Sequence, residues 1–322
     1  MLSRTAEHLF WMTRHTARAE HLARLLEASW QLSLTQPAAS KCWLAVLSMA
    51  GLGEAWRLTH HDLVGSEVIA FMSADAANPS SLVSTLRFAR ENARAVRGWA
   101  PAELWETFNA TWLDLQRLIA ERAFEHDTQA FLEWVKARSH LARGVQLAAP
   151  VQDEALDFLR LGAAIERADH MARLLEAHAE VLDARTAAFD WHRLNALLHA
   201  SSAADAWRQL HRDALDPARA AVLLIQRTEW PGSLAASLAQ VRAIVGRLSS
   251  HGIHGKSGHS AQIERLALQL CEDIREAPLA GASPAALRGW LIALIARIND
   301  LARRVGRDLV RPAIAETAAA AA

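Results

Sequence analysis

The sequence predicts an all-α protein, a helical bundle built from two tandem related halves, and three observations carry that prediction. Apolar residues recur at helical spacing, as in Leu9, Met12, Ala19, Leu22 and Leu26, and again in Leu82, Leu86, Ala89, Ala93 and Val96. Alternating runs of Val, Ile, Thr and aromatic residues, which would mark strands, are missing, while the helix formers Ala, Leu, Arg and Glu dominate. The chain also repeats itself. Arg18 to Ala28 (RAEHLARLLEA) matches Arg167 to Ala177 (RADHMARLLEA) at 9 of 11 positions, an offset of 149 residues.

The repeat continues in order. Ala55-Trp56-Arg57 returns as Ala206-Trp207-Arg208 at an offset of 151, and Pro79, Ser81, Leu82, Leu86 and Arg90 return as Pro231, Ser233, Leu234, Leu238 and Arg242 at 152. The halves are therefore residues 1–150 and 151–311, joined near Ala149-Pro150-Val151, with a loose tail over 312–322. A self-complementary dimer surface survives fusion, so the halves are expected to pack about a pseudo-twofold axis that brings the repeated helices together. Helix starts are expected where a capping residue precedes proline, at Asn78-Pro79, Asp216-Pro217 and Ser283-Pro284. Stops are expected near Gly51 to Gly53, Gly98 and Gly144.

With 322 residues, 52% hydrophobic and 22% charged, the chain has ample material for a core and is far from a disordered composition. Thirty-five basic residues balance 35 acidic ones, so no net field draws it to nucleic acid or an anionic membrane. The opening helix carries Glu7, Arg14, Arg18 and Glu20 and lacks a signal-type apolar block, and the most apolar segments, 44–52 and 291–298, are too short to cross a bilayer. A cytoplasmic location is expected. Cys42 and Cys271 lie among apolar residues and read as buried thiols, and the twelve Trp read as core packing.

Three clusters stand out as candidates for chemistry. Glu166, Asp169 and Arg173 follow i, i+3, i+7 spacing on one helix face beside Arg167 and His170. The same columns stay polar in the first copy as Arg18, Glu20, His21, Arg24 and Glu27, while Glu166 is matched by Ala17. Arg87, Arg90, Glu91, Asn92, Arg94 and Arg97 form a second polar face, of which only Arg242 survives in the other half. Either these are ladders of exposed ion pairs, worth about 0.3–0.5 kcal/mol each, or the specialised halves contribute to one composite Arg/Glu pocket able to grip carboxylate or phosphate. The third cluster, His251, His254 and His259, sits in a Gly-rich connection without a carboxylate or thiolate, so no metal site is expected there. A di-iron bundle would want Glu-x-x-His pairs, where this chain has Glu166 and Asp169. Phosphate-loop, dinucleotide-binding and nucleophile-elbow motifs are absent, so no cofactor is expected in this chain.

The opening Met1-Leu-Ser-Arg-Thr-Ala-Glu-His-Leu-Phe-Trp-Met12, Asn78-Pro-Ser-Ser-Leu82, Ala89-Arg-Glu-Asn-Ala-Arg94, Glu103-Leu-Trp-Glu-Thr-Phe-Asn109 and Phe158-Leu-Arg-Leu-Gly-Ala-Ala-Ile-Glu-Arg-Ala-Asp169 together resemble the alpha-E domain family, to about residue 311. The resemblance implies an all-helical bacterial protein encoded beside a circularly permuted ATP-grasp protein and a transglutaminase-like peptidase. It also implies a role in ATP-dependent peptide or amide bond formation, with ATP and Mg on the partner and an amino acid or peptide as substrate. The motif positions it implies are Arg18 and Glu20; Arg90, Glu91, Asn92 and Arg94; Trp105 and Asn109; and Glu166, Arg167 and Asp169, with Glu166 or Asp169 holding or deprotonating an amine. The chain departs from the family at Ala17, where Glu is usual, and at Phe10 and His15, where Tyr is usual. The alternative is a stand-alone enzyme or a bundle that binds a carboxylate or phosphate metabolite unaided.

Overall fold

The structure, a computed structural model, describes residues 3–36, 40–60, 62–99, 101–148, 154–183, 190–250, 258–279 and 281–310. Among them are fifteen α-helices and no strand. The first eight are α1 (Ser3–Thr35), α2 (Ser40–Met49), α3 (Gly53–Thr59), α4 (Gly65–Ala74), α5 (Leu82–Ala95), α6 (Ala102–Ala120), α7 (Ala123–His126) and α8 (Thr128–Leu147). The rest are α9 (Glu154–Ala177), α10 (Trp191–Ala200), α11 (Ala204–Leu210), α12 (Pro217–Ile225), α13 (Leu234–Ser250), α14 (Gly258–Arg275) and α15 (Pro284–Arg304). A π-helical stretch, Val305–Val310, prolongs α15.

Helices α1 and α9 form the axis of the bundle, since both are packed on nearly every side: in α9 buried positions run from Leu156 through Ala164 and Ala168 to Leu175, and none of its residues is exposed. Helix α1 packs on α9, α5, α8 and α10, while α9 packs on α13 and α15 as well. One apolar core runs from Ala6 to Val310, so the halves share it and are not separate lobes.

The two axial helices touch at positions matched by the repeat. A Cβ on Gly162 would lie 2.3 Å from the Phe10 carbonyl oxygen and 2.4 Å from Thr13 Oγ1, and Thr13 is the residue that the offset of 149 pairs with Gly162. Further along, His21 stacks on His170, again 149 residues apart. Contacts advance in the same direction on both helices, so α1 and α9 run parallel, and residues 36–153 supply the long return that a parallel pair requires. Because the atom crowding Gly162 is backbone, Gly162→Ala is expected to cost on the order of 1–3 kcal/mol by forcing the axial helices apart. Urea denaturation at constant m-value would check it, and an unchanged midpoint would mean the crossing is looser than described.

Local signals mostly land as expected. Asp216 and Ser283 cap α12 and α15, accepting from the Arg219 and Ala286 amides, with Pro217 and Pro284 in the first turn. Asn78-Pro79 is different. Asn78 Oδ1 accepts the Ser80 amide in a turn, and Ser81 caps α5 by accepting from the Ser84 amide, so the helix starts three residues after Pro79. Gly144 is also corrected: α8 runs through it to Leu147. Gly51 does end α2, at φ 72, with the Leu52 amide donating to Leu47 O and the Gly51 amide to Ser48 O. Ser202, 151 residues on, has φ 65 and the same pair of bonds, Ala203 to Leu198 O and itself to His199 O. Trp56 and Trp207 are both buried; Trp56 stacks on His60, and Trp207 meets His211 with the rings tilted by 42°. Trp99 and Trp191, however, are exposed, so core packing does not account for all the tryptophans. The Ala149-Pro150-Val151 junction, the 312–322 tail, His251, His254 and the His259 side chain lie outside the described residues.

Candidate functional site

The seam between α1 and α9 holds a buried ion cluster. Glu166 is 4% exposed, and its Oε2 accepts from Arg14 Nε at 2.8 Å while Oε1 accepts from Arg18 Nε at 2.6 Å and Oε2 again from Arg18 Nη2 at 3.0 Å. Burial alone would raise its pKa. The charges of Arg18 and Arg14 and their hydrogen bonds outweigh that and hold the carboxyl well below the ordinary carboxylate range. Glu166 is thus a fixed anion and a weak base. Arg14 is itself positioned by the rings of Trp11, 5.0 Å away, and Phe10.

Next along the seam the His21 and His170 rings lie 4.3 Å apart at 16°. Burial pushes His21 down to about 4 and His170 well below its ordinary range, so both are neutral at pH 7. Asp169 is 9% exposed; Oδ2 accepts from Arg173 Nε at 2.8 Å, while Oδ1 has no hydrogen-bond partner among the described residues. Arg18, Glu166, Asp169, His170 and Arg173 form the polar wall of a cavity of about 370 Å³, whose other wall is apolar, with Leu22, Leu25, Val46 and Met72. A carboxylate with one unsatisfied oxygen, on a residue that lines a half-apolar cavity, suits an N–H donor with a hydrocarbon body.

On the other side of the histidine pair, Glu20 is clamped between helices α1 and α8. Its carboxylate accepts from Arg24 Nη2 at 3.1 Å and from Arg143, and lies 3.1 Å from His140 Nε2. Burial works against ionisation, but the His140 hydrogen bond and the Arg143 charge keep the carboxyl well below its ordinary range. One turn further, Lys136 Nζ reaches Glu27 at 2.6 Å, so α8 is strapped to α1 by two successive ion pairs. Among the described residues Arg167 has only neutral hydrogen-bond partners, Ser237 Oγ at 3.1 Å and Gln240 Oε1 at 2.7 Å. Together with Ala17, Glu20, Arg24 and Arg143 it lines a second cavity, of about 250 Å³.

The α5 group forms a separate constellation. Arg90 donates to Asn109 Oδ1 at 3.0 and 2.9 Å and to Glu91 at 2.7 Å, with its guanidinium 5.3 Å from the Trp105 ring centre. Asn92 Oδ1 lies 2.8 Å from His8 Nδ1, and Arg94 reaches Glu91 at 3.2 Å on an exposed edge. None of Arg90, Glu91, Asn92 or Arg94 lines the cavities at Glu166 and Arg167. The expected single composite pocket is therefore divided: Arg90, Glu91, Trp105 and Asn109 are brought together between α5 and α6, and Arg18, Glu166 and Asp169 in the seam. Spacing along the chain does not single out Arg14 and Arg143, whose roles depend on packing between helices far apart in sequence. Cys42 is buried with its thiol pushed up to about 11 by burial, and is a poor nucleophile.

No solved structure matches the chain. Uncharacterized proteins Mb2597 of Mycobacterium bovis and MT2643 of Mycobacterium tuberculosis are each 25% identical to it over 97% of its length, and the chain spans 37% of the length of these relatives. Residues 1–309 match the Alpha-E family, described as "a predicted alpha-helical domain with a conserved ER motif". The chain has Glu-Arg at 121–122, 166–167 and 264–265; the first and third pairs are exposed, and the second lies in the seam with Glu166 buried. Over nearly its whole length, then, the chain belongs to the Alpha-E family.

Proposed function

We propose that this chain is the helical component of an ATP-grasp-dependent peptide or amide ligase, and that it holds the acceptor in the seam cavity. ATP-grasp chemistry forms an acyl phosphate, and that electrophile needs an amine delivered in a defined position and shielded from water. The unpartnered Asp169 Oδ1 at the edge of an apolar cavity is the observation that carries this reading, because it matches an amine or ammonium N–H with a hydrocarbon body behind it. Glu166, fixed by Arg14 and Arg18, holds the cationic wall in place, while Asp169 is the group that meets the acceptor. ATP and Mg would reside on the partner, a circularly permuted ATP-grasp protein, with a transglutaminase-like peptidase as a second associate and the cytoplasm as the site of reaction. The α5 constellation, with Arg94 exposed and Glu91 half-buried, is assigned to contact with the partner. The mycobacterial relatives, which extend well beyond the matched part, agree with a module that works beside other chain.

In evolutionary terms we read the chain as a fused, duplicated unit whose halves are related by a pseudo-twofold running along α1 and α9. The meetings of Thr13 with Gly162 and of His21 with His170, and the paired turns at Gly51 and Ser202, support that reading.

The test is product formation by the ATP-grasp protein encoded beside this chain, supplied with ATP, Mg and candidate amino acids or peptides, read by mass spectrometry with and without the chain. An amide product that requires both proteins, and falls in Asp169→Asn while the complex persists, is the expected result. The same product at the same rate from the ATP-grasp protein alone would overturn the reading. Thermal stabilisation of the isolated chain by an amine-bearing metabolite would instead favour a stand-alone binding bundle, a reading to which the self-contained cavity lends weight.

A further inference from the structure

The two sides of the α1–α9 seam are built from matched positions but are not balanced in charge. On one side Arg18 faces Glu166, backed by Arg14. On the other, the offset of 149 residues matches Arg18 with Arg167, Glu166 with Ala17, and Arg14 with Ala163. Two methyl groups thus stand where the first side has a carboxylate and a guanidinium, and the space they leave is open. Ala17, Ala163, Arg143 and Arg167 line the cavity of about 250 Å³ and also a neighbouring one of about 240 Å³.

The charges around that space do not cancel. Three guanidinium groups, Arg24, Arg143 and Arg167, share the first of these cavities with one carboxylate, Glu20, which Arg24, Arg143 and His140 already neutralise. His21 and His170, which also line it, are neutral. In the Glu166 cavity, by contrast, Arg18 and Arg173 are matched by Glu166 and Asp169. Arg167 is left with Ser237 and Gln240, and burial together with the Arg143 charge makes its protonated form less comfortable than an ordinary arginine's. A second sign of an absent partner is Gln146, 8% exposed on the wall shared with Ala17, Arg143 and Arg167, whose Nε2 has no acceptor among the described residues. A partly buried cation without a counter-ion among the described residues and a buried donor without an acceptor both border the cavity of about 240 Å³.

We propose that the space beside Ala17 and Ala163 binds one small oxyanion, a carboxylate or a phosphate, held by Arg167 and Arg143 with Gln146 as a further donor. The ligand takes the place that the Glu166 carboxylate occupies on the matched side. This site is separate from the acceptor cavity at Asp169 and does not rest on the ligase reading, since its test contains this chain alone.

The experiment is isothermal titration of the full chain, in buffer free of other oxyanions, with inorganic phosphate and with succinate, beside thermal melts. Wild type is expected to bind one equivalent of at least one of the two, and the preferred probe tells phosphate from carboxylate. Ala17→Glu supplies the carboxylate from within, so it is expected to raise Tm in probe-free buffer and to weaken binding about tenfold or more; Arg167→Gln loses binding without the gain in Tm. Absence of binding for both probes, or binding unchanged in the two variants, would overturn the proposal.

Discussion

Glu166→Ala is expected to lower stability by about 3–5 kcal/mol, because it strips the counter-ion from two guanidinium groups in the seam between the axial helices. Arg14 is 9% exposed and lies over the rings of Phe10 and Trp11, so it recovers little hydration when its carboxylate is removed. Arg18 is more exposed and recovers part of its hydration, so the loss falls mainly on Arg14. The asymmetry of buried pairs makes a sharper second expectation. Arg14→Met with Glu166 intact leaves a carboxylate that still has Arg18, and costs less than Glu166→Ala; Arg14→Met combined with Glu166→Leu recovers much of the loss, as removal of both charges relieves the desolvation. Urea midpoints at constant m-value for the three variants decide it. A Glu166→Ala penalty below about 1 kcal/mol would mean that water reaches the seam and that the pair behaves as a surface ion pair.

Much of this seam was legible in the sequence, and the parts that were not have physical reasons. The helical period marked α1 and α9, and the eleven-residue repeat picked out the stretch in which His21 meets His170. Glu166 was visible because a carboxylate beside an arginine on an apolar helix must be paired or exposed. Arg14 was not, since local spacing does not separate it from Arg4 or Arg24; only the approach of a helix 152 residues away makes it a buried partner. Arg90 and Glu166 were read as one pocket because each half had kept what the other had lost. Loss and retention say nothing about which flank of α1 a helix occupies, and α5 lies against α1 and α6 with Arg90 turned to Asn109 and Trp105. The Asn78-Pro79 pair misled for a similar reason. The same dipeptide suits a helix start or an Asx turn, and the hydroxyl of Ser81, which accepts the Ser84 amide, decides between them.

A steep acid limb is the other large effect expected. His15 and His21 titrate at about 4 in the fold against 6.5 for an ordinary histidine, and His170 lies in the same direction. Burial is the main cause for each, with neighbouring positive charge adding to it: Arg18 at His15, Arg167 at His21, and a protonated His21 at His170. Between pH 6.5 and 4 the unfolded chain binds protons that the folded chain refuses, so their contribution is complete above pH 6.5 and is lost as pH falls toward 4. Roughly 3 kcal/mol apiece for His15 and His21 is at stake over that window. Glu166 and Glu20 act in the same sense but lower down: their depressed pKa values stabilise the fold above the ordinary 4.5 and release that stabilisation only below it. Urea midpoints at pH 7.5, 6.0, 5.0 and 4.0 should therefore fall before any carboxylate titrates, by roughly 1.4 kcal/mol per pH unit for each histidine in mid-window. In His21→Phe/His170→Phe, where two aromatic rings replace the stacked imidazoles, the slope between pH 6.5 and 5 should shrink to the share of His15 and His178, whose pKa burial also lowers. A wild-type stability flat from pH 7.5 to 5 would show that these rings take up protons freely in the folded chain, and so that the seam between α1 and α9 is hydrated.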